Sequence, residues 1–400
     1  MTIEPKVRAL PQAVWILGFA SLFTDVSSEM IHSVLPLFLV STLNTSASIV
    51  GLIDGFAETL ASVLKLFSGA LSDHFGRRKP LLIAGYTLSA LVKPLFAVAQ
   101  NPAMVLLARS LDRTGKGIRA APRDALVADV TDEHLRGAAY GLRQALDSVG
   151  AFVGPAVALV ALSYTNNDYR FVFWLALIPG VLTILLLAIG IQEPNRHAES
   201  KDTRPRLNWQ SIKDLGRPFW LVFAVAVIFT LGNSSDAFIL LRAKELGVTP
   251  NFVPMALVVI NVVYSATAYP AGKLSDHIGR KTILLVSFAL YATVYAGFAL
   301  AENSTQIWCL MALYGLYLGL SQGTLLALTA DRVPQTLRGT AFGFINLSIG
   351  IGLLPASLMG GFLWDTVSSS ATFWVGSAFA LIAFLLLLTD QHRPSAAEKS

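Results

Sequence analysis

The sequence predicts an all-α integral membrane protein in which twelve transmembrane helices form two six-helix bundles around a central cavity. Hydrophobic residues make up 54% of the 400 residues and charged residues only 14%, which leaves too little polar surface for a soluble fold. The sequence GALSDHFGRRK at 69–79 also returns as GKLSDHIGRKT at 272–282. A repeat of about half the chain length with apolar flanks is typical of membrane proteins built from two related units.

The chain is also slightly basic. It has 30 Lys and Arg against 25 Asp and Glu, which gives a net charge of +5 at pH 7. No basic tract alternates with aromatic residues on a polar surface, as a nucleic-acid site requires, whereas Lys and Arg commonly anchor the cytoplasmic loops of membrane proteins. We therefore expect the lipid bilayer as a partner and no nucleic acid.

Apolar runs separated by glycine, proline and charge predict the spans, because the hydrocarbon core of a bilayer needs about 20 residues to cross. The predicted spans are 12–40, 47–71, 80–100, 103–128, 137–163, 169–191, 218–243, 252–274, 281–301, 304–330, 339–364 and 371–389. Polar residues and two prolines follow the sixth span, as expected of a linker. The predicted domains are an N-terminal six-helix bundle (1–191), a cytoplasmic linker (192–217) and a C-terminal six-helix bundle (218–400).

Loop charges predict the orientation. If the N-terminus is cytoplasmic, the cytoplasmic segments hold eighteen Lys and Arg, and the opposite loops hold three, namely Arg170, Arg242 and Lys244. Lys and Arg concentrate in cytoplasmic loops. We expect a multi-pass protein of the cell (inner) membrane with both termini in the cytoplasm.

The repeated stretch combines an acid at a helix end, a glycine that permits a tight turn, and consecutive basic residues that hold the loop on the cytoplasmic side. It resembles the signature loop of the major facilitator superfamily, G-x-L-x-D-x-x-G-R-K/R, between the second and third helices. The resemblance implies a gating motif in both copies, formed by Gly69, Asp73, Gly76, Arg77, Arg78, Gly272, Asp276, Gly279 and Arg280. In that family the loop stabilises the outward-open state through a charge-relay contact between helices. The resemblance implies this contact for Asp73 with Arg77 and for Asp276 with Arg280.

The fourth span carries a stripe of charge. At about 100° per residue, Arg109, Arg113, Lys116 and Arg119 fall on one helix face. A charge facing lipid at this depth costs about 2.5–3.5 kcal/mol, so the stripe is expected to face the bundle interior or a water-filled cavity. Arg109, Lys116 and Arg119 are therefore candidates for substrate binding.

The segment RTGKGIRAA, which begins at Arg113, is similar to the fourth-helix motif of the same superfamily, R-x-x-q-G-x-g-a-a. The resemblance implies a role in proton coupling for Arg113. Lys116 and Arg119 depart from the motif, which has a neutral residue and a small residue at their positions.

Two acids of the first span, Asp25 and Glu29, lie one helical turn apart. They repel each other when both are ionised, which favours a proton on one of them, and an intramembrane carboxylate of this kind is a candidate proton site. Glu29 is slightly preferred because Asp236 preserves an acid at the matching place in the repeat. His32 could complete a metal site with these two acids, although a lone intramembrane histidine is more often a hydrogen-bonded polar residue. We expect no cofactor, with the proton gradient as the driving force.

The fifth span contains Gly150, Gly154 and Pro155. Small residues at this spacing allow close helix contact, and the proline allows a bend. The segment is similar to the motif g-x-x-x-G-P-x-x-G-G of the antiporter branch of the superfamily, and the resemblance implies export. Ala158 and Leu159 replace the closing Gly-Gly of the motif, and a generic packing face is the alternative interpretation.

The remaining polar residues divide into two groups. Several acids of the N-terminal half are expected to form buried ion pairs that fix helix register, namely Asp54, Glu58, Asp124 and Asp147. The C-terminal half replaces the charged stripe by amide and phenol groups, which offer apolar area with a hydrogen-bonding tip. The candidates for substrate contact there are Asn233, Tyr314, Tyr317 and Gln322.

The resemblance covers essentially the whole chain and implies a monomeric secondary active transporter that works by alternating access. No constellation of nucleophile, base and orienting group indicates an enzyme. We expect proton-coupled efflux of a small organic molecule by antiport, as in multidrug transporters. Efflux of a divalent metal ion or metal chelate is one alternative. A non-transporting membrane sensor or lipid translocator is another.

Overall fold

The computed structural model describes residues 10–75, 78–132, 135–190, 215–334 and 337–390. Within these residues, twelve long helices follow one another, which we number α1 to α12. Their bounds are Gln12–Ser41 (α1), Ala47–Phe75 (α2), Lys79–Ala97 (α3), Pro102–Asp129 (α4), Arg136–Tyr164 (α5), Tyr169–Gly190 (α6), Arg217–Glu245 (α7), Met255–Ile278 (α8), Arg280–Leu300 (α9), Ser304–Asp331 (α10), Arg338–Thr366 (α11) and Ser369–Leu388 (α12). The predicted all-helical membrane fold is confirmed, with helix ends that differ from the predicted ones by a few residues.

Eleven of these helices are long and apolar enough to cross a membrane. The twelfth, α4, has 28 residues, but its charged stripe lowers its hydropathy. Four of its charged side chains are instead buried inside the protein, namely Arg109, Asp112, Arg113 and Arg119. The helix is therefore surrounded by other helices on its charged side, as the cost of placing charge in lipid requires.

Three helices are interrupted. The segments are Gln12–His32 and Leu35–Ser41 in α1, Tyr169–Leu175 and Leu177–Gly190 in α6, and Arg217–Gly232 and Ala237–Glu245 in α7. Backbone polar groups freed inside a membrane need partners within the protein. In the α7 break, the Gly232 carbonyl accepts a hydrogen bond from the Tyr291 hydroxyl at 3.0 Å, and the Ser235 N–H donates to Ser357 Oγ at 3.2 Å.

Helices α1 to α6 form the N-terminal half and α7 to α12 the C-terminal half, and the halves meet mainly through α2 against α11 and α5 against α8. Glycines allow the first of these contacts. A Cβ placed at Gly51 would clash with the Ser357 carbonyl oxygen, and one placed at Gly361 would lie 2.6 Å from Ser48 Cα. The two helices therefore pack backbone to backbone.

The two halves close together where α1, α7 and α11 end and α2 begins. Across this end, Asp365 accepts hydrogen bonds from the backbone N–H groups of Ala47 (3.0 Å) and Ser48 (2.8 Å), and Lys244 Nζ donates to Ser41 Oγ at 2.5 Å. At the other end, where the loop motifs lie, glycines of both halves have no neighbour within 4 Å of an added Cβ, namely Gly137, Gly141, Gly272, Gly323 and Gly343. The hydrogen bonds described above therefore hold the halves together at the Asp365 end, which lies opposite the motif end.

Some predicted features fall outside the part of the chain that the structure describes. Residues 191–214 hold most of the predicted linker, so the domain boundaries stay predictions. Gly76 and Arg77 of the first loop motif also lie outside the described residues, as do the surroundings of Gly69 and the side chain of Asp73 within α2.

Candidate functional site

Charged side chains of α2 and α4 pair with each other between the helices. Arg109 lies with Nη2 3.1 Å and Nε 3.2 Å from Asp54 Oδ1. One turn further along, Arg113 Nε lies 2.9 Å from Glu58 Oε1. Arg109 is only 1% exposed, and a charge so deeply buried requires a partner of opposite sign. The predicted inward orientation of the α4 stripe is confirmed for both arginines.

A second buried ion pair joins α3 to α4. Lys93, which is 1% exposed, lies with Nζ 2.9 Å from Asp112 Oδ1 and donates a hydrogen bond to Ser28 Oγ at 3.1 Å. Ser28 belongs to α1 and immediately precedes Glu29. The pair therefore connects three helices beside one of the candidate proton sites.

Two residues predicted to bind substrate have partners elsewhere in this conformation. Arg119 Nη1 donates a hydrogen bond to Ser89 Oγ at 2.7 Å, and its guanidinium lies 4.8 Å from the ring centroid of Tyr86, within cation–π range. Arg109 binds Asp54, as described above. Both arginines are buried and neither faces the cavities described below, because each has a partner on a neighbouring helix. Lys116, by contrast, is exposed.

The three ionisable residues of α1, Asp25, Glu29 and His32, do not converge on one point. His32 Nδ1 lies 3.3 Å from Glu29 Oε2, and its Nε2 lies 3.9 Å from Asp54 Oδ2. No hydrogen bond or ion pair joins Asp25 to another described residue. Across the described ranges, no group of three or more His, Cys, Asp or Glu side chains could hold a metal ion. The geometry therefore gives no support to the metal site considered for Asp25, Glu29 and His32.

The glycines of α5 pack directly behind the two candidate proton sites. A Cβ placed at Gly150 would lie 2.8 Å from Asp25 Cβ, and one placed at Gly154 would lie 2.8 Å from both Glu29 Cβ and the Val26 carbonyl oxygen. Real Cβ atoms do not approach so closely. The predicted close contact of the fifth helix is therefore made with α1, at the level of both carboxylates.

Gly154→Ala is expected to push α5 away from α1, at a cost of about 1–3 kcal/mol in unfolding free energy, because an added methyl group overpacks the contact. The shift would also displace Glu29. The midpoint of thermal unfolding in detergent should fall, and substrate transport should be slower. Gly141→Ala is the matched control, since it lies on the same helix with no atom within 4 Å of its Cβ position. Equal loss in both variants would contradict the close-contact explanation.

A cavity of about 240 Å³ lies between the two halves. Polar groups of both halves line it, namely His32, Asp54, Glu58, Asn233, Ser235, Asp236, Tyr314 and Gln322. The Tyr314 hydroxyl donates a hydrogen bond to Asp236 Oδ1 at 2.8 Å. Carboxylates from both repeats thus face a single space.

A second cavity, of about 310 Å³, adjoins the first and shares Asn233, Leu318 and Gln322 with it. Its wall is mainly apolar and aromatic. Phe229 stacks on Phe288 with ring centroids 4.5 Å apart, and Tyr317 lies beside them. Polar groups that converge next to an apolar recess are typical of sites for organic molecules.

The cavities contain both predicted and unpredicted residues. Asn233, Tyr314, Tyr317 and Gln322 were predicted to contact substrate, and each lines one or both cavities. The sequence predicts Asp54 and Glu58 only as structural ion pairs, and Ser235 has no predicted role. The spacing of Asp54 and Glu58, together with glycines on the same stretch of α2, was the signal that this face approaches another helix closely.

The loop motifs contact the adjacent helices. In the second copy, Arg280 Nη2 lies 3.5 Å from Asp276 Oδ1, and Nη1 also contacts Asp331 at the end of α10. In the first copy, Arg78 Nη1 lies 2.9 Å from Asp129 Oδ2 at the end of α4. The predicted pairing of Asp276 with Arg280 is present. The acid on the neighbouring helix is a partner that was not predicted.

Comparison with known proteins shows the family. The model of the Major Facilitator Superfamily matches residues 17–243 and again residues 236–400. The chain belongs to the major facilitator superfamily. Membership makes it a multi-pass membrane transporter rather than an enzyme.

Relatives within the superfamily match nearly the whole chain. A protein of Methanocaldococcus jannaschii described as an uncharacterised MFS-type transporter is 34% identical over 387 residues, which are 95% of each chain. A multidrug resistance protein, MdtH, of Photorhabdus laumondii is 24% identical over 368 residues, which cover 92% of this chain and 90% of that one.

Solved transporters of the same superfamily share the fold. A bacterial homologue of the human lysosomal transporter Spinster, in an inward-facing and unoccupied conformation, matches with a TM-score of 0.75 at 15% identity, covering 98% of this chain and 100% of that chain. The nucleoside transporter NupG matches with a TM-score of 0.80 at 11% identity, covering 95% and 100%. At these identities the likeness shows the major facilitator fold alone.

Proposed function

We propose that this transporter is a proton-coupled exporter of small organic molecules in the cell (inner) membrane, with both chain ends in the cytoplasm. The observation that carries the proposal is the cavity between the halves, lined by Asp54 and Glu58 from one repeat and Asp236 from the other. Intramembrane carboxylates that face a cavity are typical of proton and substrate pathways.

The two adjoining cavities favour a substrate with two parts. Glu58 and Asp236 offer hydrogen-bond acceptors to a polar, donor-bearing group. The recess beside Phe229 and Phe288 suits an apolar or aromatic group. Such a molecule would occupy both spaces at once.

Export follows from the orientation and from the α5 motif. With both termini in the cytoplasm, the motif end faces the cytoplasm and the closed Asp365 end faces the opposite side, so a cytoplasmic molecule would reach the cavity from the motif end. Gly150 and Gly154 pack α5 closely against α1 beside Asp25 and Glu29, and the resemblance of this segment to the antiporter motif favours export. The MdtH relatives, named as multidrug resistance proteins, also favour efflux.

Protonation of Glu29 or Asp25 would alternate with substrate binding. Glu29 contacts His32, which lies near Asp54 in the cavity wall. A change of charge on Glu29 would therefore act on the substrate cavity through the side chains of His32 and Asp54. Arg113 binds Glu58 on the same wall. A proton that binds one of these acids from the opposite side would then accompany the return of the substrate-free carrier to its inward-open state. Release of that proton to the cytoplasm would leave the acid ready for the next cycle.

A growth screen followed by reconstitution tests the proposal. The chain is expressed in a bacterial host that lacks its own efflux pumps, and growth is measured against antibiotics, dyes, siderophores and metal salts. We expect resistance to organic compounds. The protein is then reconstituted in proteoliposomes, and uptake of the organic compound with the largest effect is measured. A pH gradient should drive its transport against its concentration gradient.

Other outcomes point to the alternatives. Resistance confined to metal salts or chelates would favour metal efflux. A protein that protects against no compound, and whose two ends never alternate between open and closed, would be a non-transporting sensor. Transport of an organic compound that ignores the pH gradient would contradict proton coupling while leaving export intact.

A further inference from the structure

Asp54 is bonded to both halves of the protein. Its Oδ1 accepts from Arg109 of α4, in its own half, while its Oδ2 accepts a hydrogen bond from Ser235 Oγ of the C-terminal half at 2.7 Å. His32 Nε2 lies 3.9 Å from the same Oδ2. The residue is only 5% exposed. Because a buried carboxylate depends on its donors, the contact with Ser235 contributes to the environment that keeps this charge inside the protein.

Ser235 is held firmly on its own side. It lies in the break of α7, where its N–H donates to Ser357 Oγ of α11 and its Oγ also accepts from the Ala237 N–H at 3.1 Å. The next residue, Asp236, accepts from Tyr314. Hydrogen bonds of Ser235 and Asp236 therefore fix this part of the α7 break to α10 and α11.

This contact lies where the halves touch most closely. Gly51 and Gly55 stand on α2 on either side of Asp54, and an added Cβ at Gly55 would lie 3.0 Å from Leu354 Cα and from Ser357 Cβ. The structure describes other hydrogen bonds between the halves, which either lie at the closed end or join uncharged groups. The bond between Asp54 and Ser235 differs from these because it involves a charged side chain in the wall of the cavity.

We propose that Ser235 is a positioning residue for alternating access: its hydrogen bond to Asp54 holds the halves in the conformation closed at the Asp365 end. The bond breaks each time that end opens, because α2 must then leave α11 and the α7 break. Asp54 then keeps Arg109 as its partner within the N-terminal half. This inference needs only alternating access and is independent of the proposed export direction and proton coupling.

Distance measurements at both ends test this role of the bond between Asp54 and Ser235, which we call the latch, without any substrate. Cys309, the single cysteine, is replaced by serine, and spin labels are attached to cysteines introduced at Thr42 and Val367 of the closed end, or at Gly141 and Gly323 of the motif end. All four positions are exposed. Pulsed electron paramagnetic resonance in nanodiscs then gives the populations of short and long distances at each end.

Ser235→Ala should raise the ratio of open to closed molecules at the Thr42–Val367 end by at least about tenfold, since that factor corresponds to about 1.4 kcal/mol, the lower end of what a hydrogen bond to a charged group contributes. At the other end, the ratio of long to short distances should fall by the same factor. Such reciprocal change reports alternation, whereas general loosening would broaden both distances. Ser235→Thr keeps the hydroxyl and should restore the closed population.

Ser234→Ala is the matched control, since Ser234 lines the same cavity and makes no hydrogen bond to any residue of the N-terminal half that the structure describes. It should leave both distance distributions unchanged. The proposal is overturned if Ser235→Ala leaves the populations unaltered, or if both alanine variants shift them equally. A shift in Ser235→Ala in a protein that fails the transport assay would support the latch and count against the proposed function alone.

Discussion

Glu29→Gln is expected to abolish uphill, proton-driven transport while leaving the protein folded. Glutamine keeps the shape of the side chain and its contact with His32 but cannot take up a proton. Glu29 packs against Gly154 of α5 and lies one contact away from the wall of the substrate cavity. We expect accumulation against a gradient to fall by at least about tenfold, the size of a typical coupling energy between two sites.

The measurement is uptake into proteoliposomes with and without an imposed pH gradient, using the organic compound found in the growth screen. Exchange down a concentration gradient should persist in Glu29→Gln. Glu302→Gln is the control, because Glu302 is an exposed acid in the loop before α10 and should transport normally. If Glu29→Gln still responds to the pH gradient, the proton site is not Glu29, and Asp25→Asn becomes the decisive variant.

Lys93→Met is expected to cause the largest loss of stability. It leaves the buried carboxylate of Asp112 without its base, and breaking one side of a buried ion pair costs about 3–5 kcal/mol. Both residues are at most 3% exposed, so water cannot replace the lost partner. The midpoint of thermal unfolding in detergent, followed by the fluorescence of the seven tryptophans, should fall clearly.

A double variant separates the pair from its surroundings. Lys93→Met combined with Asp112→Leu removes both charges and should recover most of the lost stability, because an apolar pair needs no compensation. Glu245→Gln is the control for an exposed pair: Glu245 contacts Arg242 but its side chain is 47% exposed, and its loss should cost less than about 1 kcal/mol. A control loss as large as that of Lys93→Met would contradict the role assigned to burial.

Much of the architecture could be predicted from short stretches of sequence. The spans follow from hydropathy, which is a property of each segment alone. The duplication follows from the loop motif at 69–79 and 272–282. Even α4, too charged to qualify as an apolar span, was predictable, because its charges fall on one face. The same reasoning predicted that this face turns inward.

The partners of the charged residues could not be predicted in this way. Arg109 and Arg119 were expected to bind substrate, yet Arg109 pairs with Asp54 and Arg119 with Ser89 and Tyr86. A helical stripe states which residues share a face, but it does not state which neighbouring helix that face meets. Helix packing decides whether a basic residue meets an acid, an aromatic ring or open space.

The sequence by itself determined the membrane class, the spans, the two related halves and the set of polar residues placed at membrane depth, because each depends on local pattern. Only the tertiary structure decided that Asp54 and Ser235, 181 residues apart, share a hydrogen bond across the halves, and that Asp54, Glu58 and Asp236 face one cavity. The physical reason is distance: hydrogen bonds and ion pairs form within a few ångströms, and packing of the two halves alone brings such residues together.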